Sequence, residues 1–323
     1  MAAGFKRGGA QSAAAPPSTV VKPEGSPVSK LVNSVGQEDK LLSLLKEDKI
    51  DDVILPDSDS MSLLEVAGWV PMPEPISKVM ACPGIPIGLV TMVQGKKDSG
   101  KTTYATEALR SVQEEGGIAV LLDTENKFNL KRAAMMGVDV KRLLIIKGET
   151  IEDIFEKFIG FLKRLESDDR YKLFRSKKIL FVWDSLGATP SKAEMDDKTT
   201  DFSMTAAKVI KGYMRKLITR LRKANAAFLI INQVYANMNT FGKKTTAYGG
   251  SGPEYHSAVI LECTKKSRIR PKGAKKDAEF AGTEVEIECT KNHIGQPFRK
   301  VDVQIDHKGF VIGREVEYAP EPV

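Results

Sequence analysis

Two glycines separated by four residues, then lysine and threonine, are the first chemical signal in this chain. Gly95-Lys96-Lys97-Asp98-Ser99-Gly100-Lys101-Thr102-Thr103 fits the pattern G-x-x-x-x-G-K-[ST]. The glycines free the backbone to turn successive N–H groups toward phosphate oxygens. Lys101 supplies a point charge for β- and γ-phosphates, and the Thr102 hydroxyl is a ligand for Mg²⁺. A helix starting at the loop adds the partial positive charge of its N-terminus. A chance glycine-rich turn is the alternative reading, and the surrounding residues weigh against it.

Three further groups complete the chemistry of nucleoside triphosphate hydrolysis. Ile179-Leu180-Phe181-Val182-Trp183-Asp184 is an apolar run ending in a carboxylate, the arrangement that holds Mg²⁺ directly or through water. Leu121-Leu122-Asp123-Thr124-Glu125 puts Glu125 just past another such run, where a carboxylate orients and deprotonates an attacking water. Each carboxylate has a bland alternative, a helix-capping Asp184 and a solvated surface Glu125. Ile230-Ile231-Asn232-Gln233 ends in two amides, and Gln233 is suited to sense a γ-phosphate by hydrogen bonding. Tyr235 to Tyr255 then reads as a long loop without helix or strand, holding Phe241, Gly242, Lys243, Lys244, Gly249, Gly250 and Gly252. Glycines, lysines and an aromatic suit a segment that grips a nucleic-acid backbone and wedges between bases; a plain solvent loop is the alternative. A second loop, Leu186 to Phe202, is polar and carries Pro190, Lys192 and Lys198.

These groups need a scaffold that brings strand ends together. Leu89–Val93, Ile118–Leu122, Leu143–Ile146, Ile179–Trp183 and Ala227–Ile231 are short, near-continuous apolar runs, as expected of parallel strands covered on both faces. Between them, Thr103–Gln113, Ile151–Leu165 and Ala206–Ala224 read as helices, the last two with apolar residues on one face. Beyond about residue 255 the pattern changes. Ala258–Leu261, Glu284–Cys289, Val301–Ile305 and Phe310–Ile312 read as strands without long helices between them, an antiparallel extension of the same sheet. The fold class is therefore α/β: a mostly parallel sheet, helices on both faces, ligands at its carboxyl edge. Lys265, Lys266, Arg268, Arg270, Lys272, Lys275 and Lys276 fall between two predicted strands. This cluster is either a solvated hairpin tip, the favoured reading, or a DNA-phosphate contact.

Residues 1–35 read as a flexible Ala/Gly/Ser/Pro tail. Gln37–Asp52, with Leu41, Leu44 and Leu45, forms a small amphipathic helix followed by extended Val53–Pro56. It is too short to hold a core alone, so it packs on its own main domain or on a neighbouring subunit. The expected organisation is tail 1–35, N-terminal oligomerisation element and linker 36–74, nucleotide-binding core 75–314 and short tail 315–323. No apolar run approaches the length of a membrane span, and no secretory signal opens the sequence. The three cysteines, Cys82, Cys263 and Cys289, lack metal-ligand spacing and suit a reducing cytoplasm. A charge of +7, 49 basic against 42 acidic residues, permits a polyanionic partner without establishing one.

Taken in order, these motifs resemble the RecA family of recombinases. The series is Gly95 to Thr103, Asp123-Thr124-Glu125, Asp184-Ser185, Ile231-Asn232-Gln233, Phe241-Gly242, Gly249-Gly250, and Lys291-Asn292-His293-Ile294 with Pro297-Phe298. The resemblance runs from Pro75 to Gly313. It implies an ATP- and Mg²⁺-dependent ATPase that polymerises as a helical filament on single-stranded DNA, pairs it with duplex DNA and exchanges strands. It implies that Glu125 activates water and that Gln233 couples the γ-phosphate to the DNA loop. Leu186–Phe202 and Tyr235–Tyr255 become the two DNA-contacting loops. Lys291 and His293 fall where bacterial members carry two lysines that reach the neighbour's nucleotide; His293 is a departure there and is otherwise an ordinary loop residue. The short C-terminal side and the long N-terminal tail are similar to the UvsX-like recombinases of tailed phages, with the host cytoplasm as location in that case. A hexameric DNA helicase of the same fold and an ATP-switched DNA-binding scaffold with little turnover are the rival readings.

Overall fold

The computed structural model describes residues 43, 44, 47, 66–196, 202–236, 245–271 and 279–316. The chain divides into two units, Met1–Ser62 and Leu63–Val323. In the first, Ser43, Leu44 and Glu47 are helical and exposed. The 1–35 tail, Val53–Pro56, Lys198, Phe241, Gly242, Lys243, Lys244, Lys272, Lys275 and Lys276 lie outside the described residues.

The second unit opens with β1 (Trp69–Pro71), α1 (Glu74–Met80) and β2 (Gly84–Pro86), the two strands pairing antiparallel. Strand and helix then alternate: β3 (Val90–Gly95), α2 (Lys101–Glu114), β4 (Ile118–Asp123), α3 (Leu130–Met135), β5 (Leu144–Lys147), α4 (Ile151–Ser167) and β6 (Ile179–Asp184). After β6 come α5 (Lys192–Met195), α6 (Phe202–Lys223), β7 (Ala226–Ala236), β8 (Thr245–Ala247) and α7 (Ser251–His256). The described chain closes with β9 (Val259–Ile269), β10 (Gly282–Asn292), β11 (Lys300–Asp306) and β12 (Gly309–Phe310). The large sheet has the order β12-β11-β10-β9-β3-β7-β6-β4-β5, with β8 pairing β7 off that path. From β9 to β5 the pairs are parallel; β9–β10, β10–β11 and β11–β12 are antiparallel.

Strand residues point alternately to opposite faces of a sheet, and here both faces are apolar cores. Val93, Leu121, Leu180, Val182, Leu229 and Ile231 join Tyr104, Ala108, Leu109 and Val112 of α2 on one side. Met92, Val120, Leu122, Phe181, Trp183, Phe228 and Ile230 join α4 and α6 on the other. That two-sided burial is why these strands read as continuous apolar runs. α4 starts where the Thr150 side chain accepts the Asp153 N–H, and it buries Ile154, Phe155, Phe158, Leu162 and Leu165. Phe158 packs against Phe181 and Phe228, with ring centroids 4.1 Å and 4.9 Å apart. α6 buries Ile210, Met214, Leu217 and Leu221.

The fold departs from the sequence expectations at five places. β5 is not covered on both faces: it is the sheet edge, and Leu144 and Ile145 are 47% and 38% exposed. The stretch Tyr235–Tyr255 is not all loop, because β7 runs through Ala236, β8 pairs back onto it and α7 begins at Ser251. Leu186–Phe202 is not all loop over its described residues: Leu186 is fully buried and α5 carries a Ser191/Glu194 capping box. Lys265, Lys266 and Arg268 lie within β9 and not between strands. Their strand continues because alternate residues Leu261 and Cys263 anchor its first half in the core. The strand expected at Phe310–Ile312 is the two-residue β12, Gly309–Phe310. Among the described residues, no helix is long and apolar enough to cross a membrane.

Candidate functional site

β3, flanked in parallel by β7 and β9, delivers the glycine loop at the carboxyl edge. Gly95 has no room for a side chain: a Cβ there would stand 2.3 Å from the Cys263 carbonyl oxygen. Asp98 and Gly100 take φ of 58° and 86°, the left-handed region that turns the loop into α2. Lys96, Lys97 and Asp98 are exposed, and the Ser99 hydroxyl donates to the Lys96 carbonyl at 2.8 Å. Lys101 is 8% exposed, and its ammonium donates to the same carbonyl at 2.6 Å. Burial lowers its pKa, against the opposing pull of Asp184, Asp98 and Glu125. Thr103 is buried at the start of α2.

β6, β4 and β7 bring the remaining groups to the same level. In the ladder Asp123 stands opposite Asp184, and Gly95 opposite Gln233. The Thr102 hydroxyl donates to Asp184 Oδ2 at 2.9 Å. Burial raises the Asp184 carboxyl to about 6, with the Thr102 hydrogen bond and Lys101 pulling it down and Glu125 pushing it up. Burial also pushes the Glu125 carboxyl up, but the Ser185 hydroxyl, Lys127 and Lys101 outweigh it, and the net position is below the ordinary value. Ser185 Oγ donates to Glu125 Oε1 at 2.6 Å and Lys127 Nζ to Oε2 at 3.0 Å. The Asn126 N–H on Asp123 Oδ1 and the Thr189 hydroxyl on Thr124 Oγ1, both 2.8 Å, fix the turn that aims Glu125. Lys101, Thr102, Glu125, Asp184 and Gln233 line one cavity of about 220 Å³.

The donor set fits a hard divalent cation. Asp184 is a half-buried carboxylate touched by a hydroxyl rather than by an ammonium, and Thr102 adds a second oxygen. Among the described residues no group of three or more His, Cys, Asp or Glu could hold a metal by itself. A cation here would complete its shell with water and phosphate oxygens, as Mg²⁺ does.

A larger cleft of about 440 Å³ adjoins the loop, lined by Thr102, Phe128, Asn129, Arg132, Thr283 and Ile305 among others. Arg132 Nη2 donates to Thr103 Oγ1 at 3.0 Å and to the Asp306 carbonyl at 3.2 Å. Phe128, Val285 and Ile305 give this mainly polar cleft an apolar patch beside the phosphate loop, which suits a nucleobase. None of its α3 or β10 side chains emerged from the sequence reading, since no spacing pattern marks them.

The strand that carries Gln233 also holds Tyr248, the residue before the glycine pair. The Tyr248 N–H donates to the Gln233 carbonyl at 3.2 Å, and the buried Asn232 side chain donates to the Tyr248 carbonyl at 2.9 Å. Gly249 and Gly250 follow with φ of 84° and 65° and lead into α7. There the chain lies against α6: a Cβ on Gly250 would stand 3.1 Å from the Ala207 Cβ. α6 has no acidic residue and exposes Lys208, Lys211 and Arg215 at helical spacing along one stripe. The sequence reading missed this stripe because it tracked only the apolar face of the helix. Lys291 and His293 are not in the nucleotide cleft. Lys291 Nζ donates to the Glu254 and Tyr255 carbonyls at 2.8 Å and 3.1 Å, burial lowering its pKa, and His293 is exposed.

A phosphate loop between a central parallel strand and a helix, with a carboxylate ending a neighbouring strand, defines the P-loop α/β class of nucleotide-binding cores. The RecA N-terminal domain family matches residues 73–311, and the chain belongs to that family. Curated relatives named Protein RecA, from Francisella tularensis subsp. novicida (strain U112) and subsp. tularensis (strain WY96-3418), are each 29% identical over 224 residues, 69% of this chain. The match spans 58% of the length of those relatives.

Proposed function

We propose that this chain is an ATP-dependent homologous recombinase that forms helical filaments on single-stranded DNA, pairs them with duplex DNA and exchanges strands. The observation that carries the reading is the junction at Gln233 and Tyr248. Gln233 of β7 lines the nucleotide cavity, and its carbonyl accepts from Tyr248, the residue before the glycine pair that lies beside the basic stripe of α6. Family membership supports the same role.

In this reading the loop N–H groups and Lys101 bind the β- and γ-phosphates. Thr102 and Asp184 hold Mg²⁺, which supplies charge neutralisation of the phosphate oxygens when bound. Glu125, oriented by Ser185, accepts the proton of the attacking water. Gln233 donates to the γ-phosphate, and its strand passes the occupancy of the site to Tyr248 and the glycines. Lys208, Lys211 and Arg215, with the segment holding Phe241, Lys243 and Lys244, contact DNA phosphates and base faces, so sequence preference is weak. Lys291 and His293 act on the nucleotide of a neighbouring copy. The working compartment is the cytoplasm.

Negative-stain imaging with single-stranded DNA and a non-hydrolysable ATP analogue tests the reading. Helical filaments are expected. Closed rings would favour a helicase of the same fold, and isolated particles would overturn both.

A further inference from the structure

The turn between β11 and β12 is fastened to the base side of the cleft by a continuous chain of bonds. β11 ends at Asp306, whose side chain has no exposed surface. Its carboxylate accepts from both terminal nitrogens of Arg314: Nη1 on Oδ2, and Nη2 on Oδ1 at 2.8 Å. The Lys308 N–H adds a third bond to Oδ1 at 2.8 Å, closing the turn. The backbone carbonyl of the same Asp306 accepts from Arg132 Nη2, which also reaches Thr103 Oγ1. Arg132 lines the cleft; Arg314 does not.

A buried carboxylate needs a partner to keep its charge, and removing that partner costs more than the pair itself is worth. A two-pronged arginine also fixes orientation, which a lysine does not. Asp306 is therefore held in one pose, and with it the carbonyl that restrains Arg132. The phosphate half of the site has other supports, since Lys101 rests on Lys96 and Thr102 on Asp184.

We infer that Arg314 is a positioning residue for the base half of the nucleotide: through Asp306 it sets where the Arg132 guanidinium stands in the cleft. This rests on reading the cleft as a nucleotide site. It assigns a task to a residue just beyond the matched family segment, which ends at 311.

The test compares two ligands on the full chain with Mg²⁺ present: ATP, which uses both halves, and inorganic tripolyphosphate, which uses only the loop. R314A should weaken ATP binding by about fivefold or more while tripolyphosphate stays within about twofold. R132M should give the same split, and R314K, keeping charge without the fork, should fall between. Loss of both ligands in parallel would mark general loosening and overturn the inference. So would unchanged ATP binding in R314A and R132M. If R314A yields no folded protein, R314K decides: a selective loss for ATP supports the latch, and equal or no loss overturns it. A wild-type chain that binds neither ligand would sink the nucleotide reading itself. Wild-type binding with unaffected variants would sink only the latch.

Discussion

Glu125 is oriented by the protein's own side chains. The Ser185 hydroxyl and Lys127 hold its two oxygens and keep the carboxyl below its ordinary pKa. A carboxylate of low pKa is a weak base, so under the proposed function placement rather than basicity would supply its share of the rate. Glu125→Gln should lower steady-state ATP turnover by about 10²–10⁴ while leaving ATP affinity within about twofold. An unchanged turnover rate would remove Glu125 from the chemistry. Asp184 has the opposite bias. Burial raises it to about 6, so its neutral form is the one the fold prefers. Stability from this group is complete below the ordinary carboxylate range and is lost as pH rises through about 6. In chelator, Asp184→Asn should therefore raise the melting temperature at pH 8, by at most about 3 kcal/mol in free energy from a shift of roughly two pKa units. The gain should vanish near pH 4. Thermal scans at the two pH values check this, and an equal gain at both would assign the effect to something other than charge.

Among the elements, α6 does two jobs on two faces. Ile210, Met214, Leu217 and Leu221 join the core, while Lys208, Lys211 and Arg215 face outward beside the glycine pair. Replacing those three by glutamine should weaken single-stranded DNA binding. It should also make the slope of log affinity against log salt shallower by about 2, near 0.7 per lost phosphate contact. An unaltered slope would take the stripe out of the interface. The same helix shows what was readable from the sequence. Its apolar period was clear because core burial imposes it, and the strands were clear because cores on both faces make them uniformly apolar. That Lys101, Thr102, Asp184, Glu125 and Gln233 would come together was legible because each stands in or beside an apolar strand pattern, and the structure places them around one cavity. β5 was misread because an edge strand with one open side can carry the same residues as a covered one. Arg132 was invisible because its meaning lies in a contact 174 residues away, with Asp306, and Arg314 because its own bond to Asp306 gains meaning only through that contact.

At the scale of the whole molecule, the chain gathers Lys101, Thr102, Glu125, Asp184 and Gln233 around one cavity and keeps Lys291 and His293 outside it. Under the filament reading the two sets meet only across copies. A mixture of Lys101→Ala and Lys291→Ala subunits should then hydrolyse ATP faster than the mean of the two variants measured apart. Each mixed junction can pair an intact loop with an intact lysine. Strictly additive rates would mean that Lys291 does not act on a neighbour. Assembly also asks something of the strand end at Gln233. Tyr248 is held there at two points, its N–H on the Gln233 carbonyl and its carbonyl on the Asn232 amide. One tether transmits only distance, whereas two that do not lie on a line transmit rotation as well. A small twist of the strand end therefore reaches the glycine pair and α7 as a twist, and not as slack.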